Sequence, residues 1–217
     1  MGLKIGAIAS GGGSNLQSIL EACKDGRIDG EVLVVLSDNP QAYALERAKK
    51  AGVPTAVVEL NRDGSREDHD IKVVAALKEY GVDTVVLAGY MLMVTKVLLD
   101  AFPDRVINIH PALLPSFPGL HVQQAAIDYG AKFSGCTVHF VDEDMDSGPI
   151  IIQAVVPILD DDTAETLGGR ILKEEHRIYP QALQYLAEGR LKIVGRRVLL
   201  DPASPGSGTL HNPSVSF

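Results

Sequence analysis

Two kinds of segment, which differ in the spacing of their apolar residues, alternate along the first half of the chain. Short apolar runs predict buried strands at residues 3–9, 32–36, 55–59, 83–88 and 105–109. Between these runs, apolar residues recur every three to four positions, which predicts helices at about 16–23, 41–51, 65–80 and 94–101. This order predicts an α/β fold of the Rossmann-like kind, in which helices cover both faces of a mostly parallel sheet.

The pattern changes after residue 120. A helix is predicted at about 121–129, and the two strands that follow, 134–141 and 150–156, are joined by a loop and should pair antiparallel. A long helix ending near Ala187 and a hairpin at 190–200 complete an antiparallel C-terminal extension. We therefore expect a single domain over 1–201, with an N-terminal half of about 1–104 and a C-terminal half of about 105–201. Residues 202–217, rich in proline, serine and glycine, are predicted to be a flexible tail.

Composition narrows the classes of function. The chain has 217 residues, a net charge of −8 and a pI of about 5.2, which argues against a general nucleic-acid-binding protein. The first apolar run is too short for a signal peptide, and no segment approaches the ~20 apolar residues of a membrane-spanning helix. Cys23 and Cys136 lack metal-type spacing and are expected to be buried free thiols. The sequence thus predicts a cytoplasmic protein with neither nucleic acid nor a membrane as a partner.

Glycines 11–13 lie between the first strand and the first helix. Such a run lets backbone N–H groups approach an anion at a helix N-terminus, where a side chain would obstruct it. No Gly-Lys-Ser/Thr follows, so this is not a P-loop. Gly11 and Gly13 also match the start of a dinucleotide motif, with Asp38 after the second strand, but Leu16 occupies the third glycine position. Phosphate binding is the favoured interpretation, and a structural turn or a nicotinamide site remains open.

Asn108 and His110 lie two residues apart at the end of a predicted strand. Residues at this spacing point to the same face of a strand, so an amide and an imidazole project together. The carboxyl end of a strand is where open α/β sheets usually bind ligands. Pro111 ends the strand pairing and the prolines of 111–118 stiffen the loop, in which Leu114-Pro115 is a candidate cis bond. The competing interpretation is a strand end that carries polar residues by chance.

The acidic loop 142–148 has the spacing Asp142-x-Asp144-x-Asp146. A calcium-binding EF-hand loop is excluded because Ser147 and Gln153 occupy its obligatory glycine and glutamate positions. The loop is then either a solvated acidic turn or the source of a carboxylate close to a catalytic imidazole, where the charge would favour imidazolium.

The remaining histidines show no metal-ligand spacing. His139 lies in an alternating strand and is expected to be structural. The sequence therefore predicts no metal site.

Five segments together resemble one family. They are Gly-Gly-Gly-Ser-Asn-Leu-Gln (11–17), Ala-Gly-Tyr-Met (88–91), Asn-Ile-His-Pro-Ala-Leu-Leu-Pro-Ser-Phe-Pro-Gly (108–119), Val-His-Phe-Val-Asp-Glu-Asp-Met-Asp-Ser-Gly-Pro (138–149) and Glu-His-Arg-Ile-Tyr-Pro (175–180). In this order they resemble the phosphoribosylglycinamide formyltransferase family, the folate-dependent enzymes of purine synthesis. The Asn-x-His-Pro and Asp combination is shared by folate formyltransferases of this fold, whereas the first and last segments are typical of the glycinamide ribonucleotide branch.

The resemblance implies two groups of binding residues. Contacts to the ribonucleotide would come from Gly13, Ser14, Asn15, Leu172, Lys173, Glu174 and Glu175, the last of which would contact the ribose. Contacts to the co-substrate 10-formyltetrahydrofolate would come from Arg66, Met91, Leu92, Met93, Val94, Asn108, Asp142, Glu143, Asp144, Met145 and Asp146. Leu92 is a departure, because the family usually has a basic residue at that position.

The resemblance further implies a protein that acts on small molecules, and we expect a monomer or weak homodimer. The implied reaction is direct transfer of a formyl group from folate N10 to a primary amine. Asn108 and a protonated His110 would stabilise the oxyanion, His110 would act as general acid and base, and Asp146 would tune His110 and hold a water. Neither a metal nor a covalent intermediate is needed, and neither Ser14 nor Cys136 has the setting of a nucleophile. Three alternatives remain open: transfer to a charged tRNA or to water, a non-catalytic nucleotide-binding module, and a nicotinamide oxidoreductase.

Overall fold

The structure is a computed structural model that describes residues 2–61, 63–203, 206, 210 and 212. Within these residues, a sheet of nine strands has the order β3-β2-β1-β4-β5-β6-β7-β9-β8. The strands are β1 (Leu3–Ile8), β2 (Gly30–Ser37), β3 (Thr55–Val57), β4 (Thr84–Leu87), β5 (Val106–His110), β6 (Phe133–Phe140), β7 (Ile150–Pro157), β8 (Leu191–Val194) and β9 (Arg197–Leu200). The helices are α1 (Ser14–Lys24), α2 (Tyr43–Lys50), α3 (Arg66–Glu79), α4 (Lys96–Ala101), α5 (Val122–Tyr129) and α6 (Ala164–Ala187).

The direction of strand pairing changes at β5. Strands β1 to β5 pair in parallel, whereas β6 pairs antiparallel with β5 and β7 pairs antiparallel with β6. The terminal hairpin of β8 and β9 joins the sheet through one parallel pair, Ile150 with Arg197. The predicted α/β class, with a mostly parallel sheet and an antiparallel C-terminal extension, is confirmed.

Two apolar layers cover the sheet. One layer packs α1, α2 and α6 against one face, with Leu16, Ile19 and Leu183 fully buried. The other packs α3 and α4 against the opposite face around Leu77 and Leu98. Each such side chain contributes roughly 1.5–3 kcal/mol through burial, so the layers hold the strand ends in place.

The two cysteines differ from one another. Cys136 is buried as predicted, but Cys23 is only partly buried, because it lies at the edge of the α1 layer. Burial raises the pKa of the Cys23 thiol to about 11 and that of the Cys136 thiol to about 12. Both thiols are therefore protonated at neutral pH, which makes them poor nucleophiles.

Tyr179 fixes the long helix α6 to the centre of the sheet. Its buried hydroxyl lies 3.0 Å from the Leu87 carbonyl oxygen and 2.9 Å from that of Ile107, and it donates its proton between them. Leu87 is the last residue of β4, and Ile107 is the second residue of the neighbouring strand β5. Because Glu175 lies one helical turn before Tyr179, the anchor also places that carboxyl beside the end of β5.

The predicted flexible tail, 202–217, lies largely outside the described residues. Of its described part, Asn212 donates from its amide to the carbonyl oxygens of Lys132 at 2.6 Å and Ile158 at 2.8 Å. This residue therefore contacts the domain. None of the helices in the described part of the chain has the length and apolar character needed to cross a membrane.

Candidate active site

A cavity of about 390 Å³ opens at the carboxyl ends of β4 and β5. Asn108 and His110 both line it, as their shared strand face predicts. The lining is completed by the loops after β4, β5 and β6, by the start of α5, by His139 of β6 and by single residues of α1 and α6. It comprises Asn15, Leu87, Gly89, Tyr90, Met91, Leu92, Met93, Val94, Asn108, Ile109, His110, Pro111, Gly119, Leu120, His121, Val122, Gln123, His139, Val141, Asp142, Asp144, Met145, Asp146 and Glu175.

His110 is a buried imidazole with an acceptor on each side. Its Nδ1 lies 3.3 Å from Oδ2 of Asp146, and its Nε2 lies 2.8 Å from the carbonyl oxygen of Phe117. A carbonyl oxygen only accepts, so Nε2 carries the proton of that hydrogen bond, and Nδ1 faces the carboxylate. The structure brings His110 and Asp146 together as the sequence led us to expect.

Asp146 is held in place by a hydrogen bond from the loop after β5 rather than solvated. Its side chain is only 13% exposed, and its Oδ2 accepts a hydrogen bond of 2.9 Å from the Gly119 backbone N–H. The residue has a φ of 51°, in the left-handed region that non-glycine residues seldom adopt. Beside it, the Ser147 hydroxyl donates to the Asp142 carboxylate at 2.5 Å. The solvated-turn interpretation is therefore wrong for Asp146.

Asn108 is oriented by a histidine that the sequence analysis treated as structural. Nδ1 of His139 lies 2.8 Å from the Phe140 carbonyl oxygen and donates to it, which leaves Nε2 as an acceptor in the neutral ring. The Asn108 amide nitrogen lies 3.3 Å from that Nε2 and donates one proton to it. Burial lowers the pKa of His139, in agreement with a neutral ring. The second amide proton of Asn108 remains for a ligand.

At the inner end of the cavity, Asn15 and Glu175 form a buried pair. The Asn15 amide nitrogen donates to Oε2 of Glu175 at 2.6 Å. Burial raises the pKa of Glu175, while the Asn15 amide and the His110 charge oppose this shift. Oδ1 of Asn15 is buried and accepts no hydrogen bond within the described residues. The pair thus offers unused hydrogen-bonding capacity to a polar ligand.

The pKa of Glu175 leads to a prediction about stability. A carboxyl whose pKa is raised by folding contributes stability fully below its unfolded value, 4.5, and loses that contribution as pH rises through the folded pKa. Glu175→Gln keeps a neutral side chain at every pH. Its melting temperature should match that of the parent near pH 4 and exceed it by a few degrees near pH 8. Thermal melts of both proteins between pH 4 and pH 8 measure this difference in melting temperature. A difference that did not grow with pH would contradict the prediction.

The glycine loop lies just beyond Asn15, at the N-terminus of α1. The backbone N–H groups of Gly11, Gly12 and Gly13 donate to no acceptor in the described part of the chain. Free N–H groups at the start of an 11-residue helix form a site suited to an anion. Gly13 has a φ of 67°, but a Cβ there would meet Ala44 at 2.7 Å rather than a ligand. The expectation that a side chain at Gly13 would block the anion directly is therefore wrong, because that face packs against α2.

Several predicted binding residues lie outside the cavity lining. The Arg66 guanidinium donates to the Met93 carbonyl and so contacts the 91–94 loop from outside the lining. Oε1 of Glu143 lies 3.5 Å from Nζ of Lys96. Of the ribonucleotide contacts implied on α6, Leu172, Lys173 and Glu174 are not part of the lining, and neither are Gly13 and Ser14 of the glycine loop.

The lining also includes residues that the sequence analysis did not assign to a site. They are Leu87, Gly89, Tyr90, Ile109, Pro111, Gly119, Leu120, His121, Val122, Gln123, His139 and Val141. Their sequence signal is their position within or directly beside the matched segments 88–91, 108–119 and 138–149.

Comparisons of sequence and of structure both relate this chain to formyl transferases. The family described as formyl transferase matches residues 3–183. Phosphoribosylglycinamide formyltransferase of Escherichia coli (strain K12) is 39% identical over 199 residues, which cover 92% of this chain and 94% of that protein. The crystal structure of glycinamide ribonucleotide transformylase 1 from Symbiobacterium toebii is 54% identical with a TM-score of 0.90, covering 91% of this chain and 93% of that one. A formyltetrahydrofolate deformylase from Pseudomonas syringae pv. tomato is 26% identical with a TM-score of 0.86, covering 92% and 66%.

Proposed function

The chain belongs to the formyl transferase family, and we propose that it transfers the formyl group of 10-formyltetrahydrofolate to the amine of phosphoribosylglycinamide. Its relatives named phosphoribosylglycinamide formyltransferase support an enzyme of formyl transfer in purine biosynthesis. The observation that carries the proposal is a row of groups in which Asn15, Glu175, Asn108 and His110 line one cavity, with the glycine-loop N–H groups just before Asn15 at the start of α1.

Each part of this row suits one part of the two substrates. The loop N–H groups would hold the phosphate, and Asn15 with Glu175 would bind the ribose hydroxyls. The exposed side chains of Met91, Met93 and Met145 at the opposite end would cover the flat apolar rings of the folate. The reacting amine and formyl group would then meet beside His110.

The reaction needs charge stabilisation and one proton transfer. The amine nitrogen attacks the formyl carbon, and the carbonyl electron pair moves to oxygen, where the free amide proton of Asn108 and the His110 imidazolium would stabilise it. The amine then loses a proton, N10 gains one, and the bond between the carbon and N10 breaks. His110 would carry this proton, held in position by Asp146. Since the Phe117 carbonyl occupies Nε2, we propose that substrate displaces this contact.

Water is the main competing acceptor, because a deformylase shares the fold. The three unpaired glycine-loop N–H groups favour a phosphorylated acceptor, since hydrolysis has no need of an anion site. The test is an absorbance assay for folate release with and without phosphoribosylglycinamide. Release that depends on the ribonucleotide supports the proposal, and equal release without it indicates a hydrolase. Binding of the ribonucleotide with no release indicates a binding module, and a fluorescence change on titration with NADH indicates a nicotinamide site.

Gly13→Val should weaken ribonucleotide binding at least tenfold and leave folate binding nearly unchanged. The added Cβ would collide with Ala44, and valine at a φ of 67° is strained, so the loop N–H groups would turn away from the phosphate. Calorimetry with each ligand separately measures the difference, and circular dichroism checks the fold. An equal loss of affinity for both ligands would count against a dedicated phosphate site.

A further inference from the structure

The start of α2 supports the glycine loop from behind. The Ala44 backbone N–H donates to the Gly11 carbonyl oxygen at 3.0 Å, and Nε of Arg47 donates to the Gly12 carbonyl oxygen at 2.8 Å. Both peptide bonds after these carbonyls are trans, so each carbonyl points opposite to the next N–H. With both carbonyls held by α2, the N–H groups of Gly12 and Gly13 point away from α2, toward the side left open for an anion.

The Arg47 side chain is fixed by contacts on three sides. Besides the Gly12 carbonyl, its Nη1 donates to Oε1 of Gln17 at 3.3 Å, and its guanidinium lies 5.0 Å from the centre of the Tyr43 ring. Gln17 belongs to α1, whose first turn adjoins the loop. Arg47 therefore links α2, the glycine loop and α1, and its planar guanidinium is already ordered before a ligand arrives.

The positive charge of Arg47 is not neutralised by a carboxylate. The ion pairs of the described residues do not include Arg47, although Lys49 on the same helix pairs with Glu46 at 2.8 Å. A charge that lies one peptide group behind the loop N–H groups adds to the positive potential that they present.

We propose that Arg47 is a positioning residue for the phosphate of the ribonucleotide. It orients the Gly12–Gly13 peptide group through the Gly12 carbonyl and adds an unpaired positive charge behind it. This inference rests on the proposed function, because the anion that benefits is the phosphate of that substrate. It assigns to α2 a part in substrate binding, although α2 contributes no residue to the cavity lining.

The test compares Arg47→Ala with Arg47→Lys and with the control Lys50→Gln. Lys50 is an exposed cation on the same helix whose contact is with Tyr43, so its loss changes the charge without touching the loop. Arg47→Ala should raise the KM for the ribonucleotide by about 10- to 100-fold, as expected for a lost hydrogen bond from a charged group, with kcat and the folate KM within about twofold. Arg47→Lys should recover part of this loss, and Lys50→Gln should resemble the parent.

Salt separates the two contributions of Arg47. Raising the ionic strength should shrink the ratio of the Arg47→Ala and parent KM values, because the charge contribution is screened and the loop orientation is not. An unchanged ribonucleotide KM in Arg47→Ala, or an equal rise in both KM values, would overturn the inference. If the parent transfers no formyl group, calorimetry with inorganic phosphate still tests Arg47: equal affinity in parent and Arg47→Ala overturns the inference independently of the proposed reaction.

Discussion

Replacing Asp146 by asparagine should lower the turnover of formyl transfer by about 10²- to 10⁴-fold, the range expected for loss of acid–base catalysis. Asparagine has nearly the same shape and can still accept from the Gly119 N–H, but it lacks the charge that faces Nδ1 of His110 at 3.3 Å. Without that charge, the positive charge that His110 carries during the proton transfer is no longer stabilised, and the transfer to N10 slows. Steady-state kinetics gives the loss, and calorimetry should show ribonucleotide affinity within a few-fold of the parent.

A matched control and a spectroscopic readout make this prediction specific. Asp160→Asn removes one exposed acid elsewhere on the surface, and its turnover should equal that of the parent. In Asp146→Asn, the imidazole proton resonances of His110 should move from their parent positions, because the carboxylate that faces Nδ1 at 3.3 Å is gone. Turnover near the parent value, together with unmoved resonances, would show that Asp146 only shapes its loop and that another group carries the proton.

Replacing Asn108 by alanine should lower turnover by about 10²- to 10³-fold, the cost measured when one oxyanion donor is removed. Its amide is oriented by the hydrogen bond of 3.3 Å to Nε2 of His139, so the remaining amide proton reaches the developing charge without reorganisation. This interaction strengthens only as the carbonyl oxygen becomes negative. Both substrate affinities should therefore change much less than the rate, as single-turnover kinetics and calorimetry together would show.

Asn108→Asp provides the matched comparison for that variant. It keeps the size of the side chain but replaces the donor by an acceptor that repels an oxyanion, so it should be at least as slow as Asn108→Ala. If Asn108→Asp instead kept most of the parent activity, Asn108 would fill space beside His139 and the oxyanion would be stabilised elsewhere.

Much of the fold could be predicted from the sequence, because strands and helices differ in the spacing of their apolar residues. Strands with unbroken apolar runs and helices with three-to-four spacing are local properties, and each predicted element is present with small differences at its ends. The antiparallel β6–β7 pair could be predicted because a loop, not a helix, joins its strands. The attachment of the hairpin to β7 through a single residue pair could not, because no local pattern encodes which edge a distant hairpin will join.

The site could be predicted only in part. The chemical type of a residue is given by the sequence, whereas its contacts depend on how distant segments fold together. Asn108, His110 and Asp146 could be identified from the sequence. The role of His139 could not, because it depends on the register of β5 and β6, which places His139 opposite Asn108. The Phe117 carbonyl beside His110 carries no side-chain signal. The sequence predicted that a side chain at Gly13 would obstruct the anion. The direction of a Cβ there instead depends on where α2 packs, and it points at Ala44.

The Tyr179 anchor makes the cavity stiff at one end and adaptable at the other. Sliding α6 would break the hydroxyl contacts to Leu87 in β4 and Ile107 in β5, so Glu175 cannot shift to fit a ligand of different shape. The opposite end is formed by loops whose Met91, Met93 and Met145 side chains are 61%, 49% and 52% exposed and can rearrange. Selectivity should therefore be uneven: inhibitors that vary the aromatic portion of the folate would be tolerated, whereas altered sugars would be rejected.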